Sequence, residues 1–129
     1  MKKLLVLLFS LFALTVNASD VYYCSDDNKT GFDVSENFKH KMFNEDKYKI
    51  MIDFDKREII SEKLYFKSNI QQKCFLNYTS PNQTLYCLNM MGSAFSINML
   101  TLEYILADVY NIKNAESDPV LSYGTCEKF

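Results

Sequence analysis

The clearest pattern in the chain is an alternation of apolar and polar positions. Between Tyr48 and Phe54 every second residue is apolar, and the residues between them include Lys49 and Asp53. A period of two is that of a β-strand with one buried face, so these residues predict a strand. The charged residues 55–57 and the segment 58–61, with Ile59 and Ile60 at its centre, follow directly, which predicts a hairpin.

Short segments of the same kind recur, separated by turns rich in Asn, Asp and Ser. Further strands are predicted at residues 21–25, 38–43 (half-buried), 64–66, 74–78, 83–89, 95–98 and 120–129, the last broken at Gly124. Residues 26–31 are predicted to form a polar loop, and residues 79–82 a four-residue turn.

The segment 99–110 fits two patterns. As a helix it would carry an apolar stripe that includes Leu102, Ile105 and Val109. As a strand, residues 101–105 would pair back on residues 95–98 across a tight turn. We favour the strand, because consecutive hairpins suit a glycine-poor β domain.

Eight or nine short strands joined by brief turns predict an all-β fold, an antiparallel meander of about eight strands. Such a meander closes into a small barrel or folds into a sandwich, because an open sheet of this width would leave unprotected edges. The strand pattern leaves both alternatives open.

The first eighteen residues follow a different pattern. Lys2 and Lys3 precede an uncharged apolar run of thirteen residues, 4–16, and compact residues end at Ala18. This is the layout of a secretory signal peptide, and the run is shorter than the roughly 20 residues of a spanning helix. We expect a signal peptide at 1–18, one exported domain at 19–129 in the periplasm or outside the cell, and no membrane span after cleavage.

Charge narrows the range of partners. Residues 19–129 carry 12 basic and 16 acidic side chains, a net charge of about −4, and no basic stripe. We therefore do not expect the protein to bind nucleic acid, because nucleic acid binds to concentrated positive charge.

Four cysteines lie after residue 18, and in an exported protein an even number predicts two disulfides. If residues 79–82 form the turn of a hairpin, Cys74 lies directly opposite Cys87 on one face. A Cys74–Cys87 bridge follows, and Cys24–Cys126 follows by elimination. A zinc site is not expected, because the chain has no CxxC pair and His40 is its only histidine.

Six short pieces of the chain form a recognisable set: Tyr23-Cys24, Gly31-Phe32-Asp33, Ile52-Asp53-Phe54, Leu85-Tyr86-Cys87, Phe95-Ser96-Ile97-Asn98 and Gly124-Thr125-Cys126-Glu127-Lys128-Phe129. In this set the chain resembles small secreted proteins predicted from marine alphaproteobacteria. The resemblance covers most of the chain after residue 18. The resemblance implies export and a bacterial source, and it implies no activity.

One segment partly matches a calcium loop. Asp26, Asn28 and Thr30 offer oxygen ligands at alternate positions, and Gly31 stands at the sixth position of the pattern. The twelfth position is Asn37 instead of glutamate, and the flanking helices are missing. We therefore favour a polar turn, with calcium at these three residues as the weaker alternative, and we expect no cofactor.

No catalytic residue is predicted. The chain lacks a Gly-x-Ser-x-Gly elbow, its single imidazole lies between two lysines, and its cysteines are expected to be paired. Neighbouring carboxylates occur at positions 26/27, 45/46 and 53/55, where solvated turn charges are the ordinary explanation.

The function hypotheses follow from these absences and from the aromatic residues. We expect a small exported binding or interaction protein without enzymatic activity, such as an inhibitor or adaptor, for an envelope or extracellular protein or a small ligand. Tyr22, Tyr23, Tyr104 and Tyr110 are candidates to line a ligand groove. The alternative is a small hydrolase, which would need two carboxylates facing each other across a concave pocket.

Overall fold

The computed structural model describes residues 19–61, 73–77, 83–89, 92–109 and 118–129. Among these residues no helix is long and apolar enough to cross a membrane. The predicted signal peptide 1–18, the strand at 64–66 and the turn at 79–82 lie outside the described residues. The described strands are β1 (Asp20–Asp33), β2 (Lys39–Met42), β3 (Lys47–Asp53), β4 (Glu58–Ser61), β5 (Lys73–Asn77), β6 (Thr84–Leu88), β7 (Ser93–Asn98), β8 (Glu103–Asp108) and β9 (Val120–Lys128).

The strands form a nearly closed antiparallel barrel. Their hydrogen-bonded order is β4-β3-β1-β9-β8-β7-β6-β5, and β4 and β5 at the two ends of this order are in contact. Along the edge of β1 opposite β9, β3 pairs with residues 20–25 and β2 with residues 30–33, so they act as one interrupted strand. The predicted all-β meander of about eight strands is confirmed as a barrel, in which pairing of β1 with β9 joins the first strand to the last.

Alternate residues of the strands fill the barrel. In β3 the inward positions are Tyr48, Ile50 and Ile52, as the period of two predicts. Phe54 is an exception: it is 38% exposed, because β3 ends at Asp53 and Phe54 begins the turn to β4. The rest of the apolar core comprises Tyr22, Cys24, Ile59, Cys74, Leu85, Cys87, Phe95, Ile97, Tyr104 and Cys126.

Two disulfides join neighbouring strands, and both predicted pairings are confirmed. Cys74 of β5 lies opposite Cys87 of β6 in the predicted register. Cys24 of β1 lies opposite Cys126 of β9. The second bridge therefore links the first strand of the barrel covalently to the last.

The ambiguous segment after residue 98 is a strand. β8 pairs with β7, and the side-chain oxygen of Asn98 accepts hydrogen bonds from the backbone N–H groups of Leu100 and Thr101 in the tight turn between them. The turn ends at Leu102, whose φ is +60°. The helical alternative is wrong for residues 103–108, because both edges of this segment are paired in the sheet.

The predicted loop at 26–31 is wrong, because β1 continues through it. Residues 28–31 pair with residues 120–123 of β9, so backbone hydrogen bonds hold them in the sheet although Asn28, Lys29 and Thr30 have polar side chains. A β-bulge between Asp26 and Asn28 changes the inward-facing positions from even to odd numbers. The predicted break at Gly124 is also wrong, because β9 is continuous.

Strand β2 lies beside the barrel and contributes nothing to its core. The prediction for residues 38–43 was a half-buried strand, but all four residues of β2 are exposed. The reason is that β2 lies at an edge, where β1 is its one paired neighbour among the described strands. Alternation of residue types therefore identified the strand and misjudged its burial.

Candidate functional site

A buried polar contact lies inside the barrel where β8, β9 and β1 are adjacent. The register places Tyr104, Gly124 and Asp26 side by side on these three strands. The Tyr104 hydroxyl donates a hydrogen bond of 2.5 Å to the Asp26 carboxylate, which also accepts one of 3.0 Å from the backbone N–H of Asp46. Burial raises the pKa of Tyr104, and this hydrogen bond raises it further.

The neighbouring tyrosine, Tyr48, differs from Tyr104 in the hydrogen bonding of its hydroxyl. Tyr48 packs edge-to-face on Tyr104 with ring centroids 5.8 Å apart. Its hydroxyl is buried and interacts electrostatically with the Tyr104 hydroxyl, but it has no partner of hydrogen-bond geometry among the described residues. Burial is the main cause that raises the pKa of Tyr48. Tyr104 therefore carries the polar contact, and Tyr48 serves mainly as packing.

At the bulge in β1, the barrel contains a small polar cavity, which we call the end cavity. Its volume is about 200 Å³. Lys29 and Asp46 form an ion pair of 2.7 Å at its wall, and Asp108 accepts a hydrogen bond of 3.2 Å from the Ser93 hydroxyl. The full lining is Asp26, Lys29, Asp46, Tyr48, Leu106, Asp108, Val120 and Ser122.

The end cavity brings three carboxylates to one concave site, which the hydrolase hypothesis requires. Each of these carboxylates, however, accepts a hydrogen bond or ion pair from the protein itself. The cavity is also smaller than the roughly 300–1,000 Å³ of typical ligand sites. The described residues contain no group of three or more His, Cys, Asp or Glu side chains placed to hold a metal ion.

A row of exposed apolar side chains crosses the outside of the barrel. The register aligns Phe75 of β5, Tyr86 of β6, Ser96 of β7, Ile105 of β8 and Tyr123 of β9. The four large side chains of this row are between 40% and 51% exposed. Because aligned residues of neighbouring strands lie about 5 Å apart, they form one stripe, in which Ser96 separates the pair on β5 and β6 from the pair on β8 and β9.

A second row runs parallel to the first, at a distance of two residues on each strand. It aligns Leu88, Ala94, Ala107 and Leu121 of β6 to β9. We call the two rows together the outer apolar face. Its six large side chains expose about 500 Å², taking roughly 200 Å² for a whole aromatic side chain. That area lies near the upper end for the largest apolar patch on a monomeric protein, and such patches often mark interaction sites.

A third feature, which we call the Tyr23 groove, lies across the outside of β3, β1 and β9. It is an open groove of about 490 Å³. Tyr23 has Lys49 of β3 as its neighbour on one side and Glu127 of β9 on the other. The next row places Ser25 between Lys47 and Thr125. Parts of Cys24 and Tyr48 complete the lining.

Three of the four tyrosines proposed to line one groove, Tyr22, Tyr23 and Tyr104, do not share a surface. Tyr22 and Tyr104 point into the core, whereas Tyr23 is half exposed on the outside. Tyr110 lies outside the described residues. The pattern of alternation predicts this separation for Tyr22 and Tyr23, because adjacent residues of a strand face opposite sides.

The candidate calcium ligands are also dispersed. Asp26 is buried in the contact with Tyr104, whereas Asn28 is exposed beyond the bulge. The Thr30 hydroxyl lies 2.6 Å from Nε2 of His40 on β2. These residues belong to a paired strand and not to a turn, so the loop that the calcium interpretation assumed does not form.

Sequence reasoning did not single out the outer apolar face. A signal for it was present, because residues 85–88 are apolar at four consecutive positions and so on both faces of the strand. A strand at a water-exposed surface normally alternates with polar residues. The alignment of such residues across five strands depends on register, which a single strand does not reveal.

Comparisons with protein families, with curated proteins and with solved structures found no match to this chain.

Proposed function

We propose that this protein is an exported interaction protein without enzymatic activity, and that its outer apolar face binds a second protein. The alignment of Phe75, Tyr86, Ile105 and Tyr123 across five strands carries the proposal. Aromatic side chains are enriched in protein interfaces, because they provide a large contact area at a low cost in conformational entropy.

Export is part of the proposal. All four cysteines are paired, and disulfides persist where the surroundings are oxidising. Together with the signal peptide predicted at 1–18, this supports a protein that works in the periplasm or outside the cell. In that setting the bond between Cys24 and Cys126 would hold β1 and β9 together.

The charges around the face suggest the chemistry of the partner. Strands β6, β7 and β8 contain no basic residue. Glu103, at the edge of the face, accepts a hydrogen bond of 3.0 Å from the Tyr123 hydroxyl. We therefore propose a partner with an apolar patch and a basic rim, which would be attracted by the net acidic charge of this protein. An inhibitor or an adaptor would work in this way.

Site-specific photo-crosslinking tests the proposal. A photoreactive phenylalanine analogue replaces Ile105 in the oxidised protein, which is then irradiated with an envelope fraction of cells that produce it. The matched control carries the analogue at Ile60, which is similarly exposed but lies on β4. We expect a discrete adduct with another protein from position 105 and none from position 60.

Competition then tests whether the face itself is responsible. Excess unmodified protein should abolish the adduct, whereas the Tyr86→Ser, Tyr123→Ser variant should compete at least tenfold less well. Equal adducts from both positions, or an adduct only with a second copy of this chain, would count against the proposal.

The end cavity supports a second candidate function, a carboxylate-dependent hydrolase. The supporting observation is that Asp26, Asp46 and Asp108 line one concave site. A test compares hydrolysis of chromogenic glycosides and of peptidoglycan by the native protein and by the Asp46→Asn, Asp108→Asn variant. Turnover that the variant loses would favour the hydrolase, and equal background rates would reject it.

A further inference from the structure

We infer that the Tyr23 groove binds an acidic saccharide, a sugar ring that carries a carboxylate. The inference is independent of the proposed function, because the groove and the outer apolar face have no residue in common. The groove has the volume of a small-molecule site, about 490 Å³, and it is lined by an aromatic ring, cations, a carboxylate and hydroxyls.

Two lysines supply the positive charge of the groove. Five described lysines each pair with a carboxylate, namely Lys29, Lys39, Lys41, Lys56 and Lys128. Lys47 and Lys49 line the groove and form no ion pair with any described residue. Two ammonium groups that no described carboxylate pairs with, side by side along one groove, favour a ligand that carries negative charge.

The groove also contains an exposed aromatic ring. Tyr23 is 50% exposed in the middle of the groove. Its one described ring partner is Phe129, in an edge-to-face contact with centroids 5.7 Å apart. This geometry leaves at least one face of the Tyr23 ring uncovered by Phe129. A flat exposed ring between charged neighbours suits a ligand that has a ring of its own.

The remaining polar groups distinguish a sugar from a simple anion. Glu127 lies on the other side of Tyr23 from Lys49, and its carboxylate only accepts hydrogen bonds when ionised. The hydroxyls of Ser25 and Thr125 both donate and accept. A bare anion would be repelled by Glu127, whereas the hydroxyls of a sugar acid can donate to Glu127 while its carboxylate meets the lysines.

The probe for the test is digalacturonic acid, titrated into the oxidised, ¹⁵N-labelled protein at low salt and followed by NMR. The uncharged disaccharide cellobiose and sodium sulfate serve as comparison ligands. We expect saturable shifts at residues 23–25, 47–49 and 125–127, with cellobiose and sulfate each binding at least tenfold more weakly.

Variants assign the binding to the groove. Lys47→Gln with Lys49→Gln should weaken binding of digalacturonic acid at least tenfold, and Tyr23→Ser at least fivefold. Matched controls are Lys39→Gln, which changes a paired lysine on β2, and Tyr86→Ser, which changes an exposed tyrosine on the outer apolar face; neither should alter binding. Absence of binding, equal binding of cellobiose or sulfate, or shifts confined to other residues would overturn the inference.

Discussion

The Tyr104 hydroxyl donates a 2.5 Å hydrogen bond to the carboxylate of Asp26, two strands away in the barrel wall. The residue between them on β9 is Gly124. A Cβ atom there would meet the Tyr104 hydroxyl at 2.6 Å and would lie still closer to the Ser25 carbonyl oxygen. The contact between a buried tyrosine and a buried carboxylate therefore depends on a glycine.

Tyr104→Phe should destabilise the protein more than Tyr48→Phe, although both remove one buried hydroxyl. The first leaves the Asp26 carboxylate without its side-chain donor, which costs about 1–3 kcal/mol. The second removes a hydroxyl that has no partner of hydrogen-bond geometry among the described residues, and should cost less than about 0.5 kcal/mol. Urea unfolding of the oxidised proteins measures both free energies. Equal losses would show that Tyr48 supplies a hydrogen bond to this network.

Gly124→Ala should destabilise the barrel by about 2 kcal/mol or more, because the methyl group meets backbone as well as the Tyr104 hydroxyl. Thr125→Ala is the matched control, since Thr125 is the adjacent residue of β9 and is exposed. Thermal and urea unfolding provide the comparison. A Gly124→Ala protein as stable as the control would mean that β9 can shift away from β1 at little cost.

Acid should lower the free energy of unfolding, because it protonates the Asp33 carboxylate. Hydrogen bonds from Lys41 and then from Ser35 lower the pKa of Asp33 from 3.8 to about 2. Because the folded pKa lies below the usual value, the stabilisation is complete above about pH 4 and is lost as the pH falls through about 2. Asp33→Asn should be less stable at pH 7, with the difference from the native protein vanishing near pH 2.

Urea unfolding at several pH values measures this dependence. Asp27→Asn provides the control, because Asp27 is an exposed aspartate of the same strand. The contrary outcome is that the free energies of unfolding of the native protein and of Asp33→Asn differ by the same amount from pH 7 to pH 2. That result would show that the charge of the Asp33 carboxylate does not contribute to stability.

The two disulfides should contribute unequally to stability. Cys24 and Cys126 are separated by 102 positions, whereas Cys74 and Cys87 are separated by 13. In the chain-entropy description, replacing the first pair by serine costs about 4–5 kcal/mol and replacing the second about 3 kcal/mol. Urea unfolding of the two double variants tests the order. The reverse order would indicate that native packing around Cys74–Cys87 outweighs chain entropy.

Much of the fold is readable from local pattern. The alternation at residues 48–52 identifies the inward face of β3, because successive side chains of a strand point to opposite faces. The position of Cys74 relative to Cys87 predicts their pairing, since a short turn fixes the register of a hairpin. Both features depend on residues close in sequence.

The candidate sites depend on contacts between distant residues. The pairing of β1 with β9 joins positions about 100 residues apart, and it draws residues 26–31 into a strand that their composition did not predict. The same pairing buries Asp26 beside Tyr104 and brings Glu127 next to Tyr23. No local period encodes such contacts.

The amino-acid pattern alone thus specifies the all-β class, the inward residues of β3 and the Cys74–Cys87 bridge, because pleat and hairpin geometry act over a few residues. The Cys24–Cys126 bridge then follows by elimination. Tertiary structure decides the closure of the barrel, the bulge after Asp26, the outer apolar face and the Tyr23 groove. The physical reason is register: exposed residues become a surface only when pairing between separate strands aligns them.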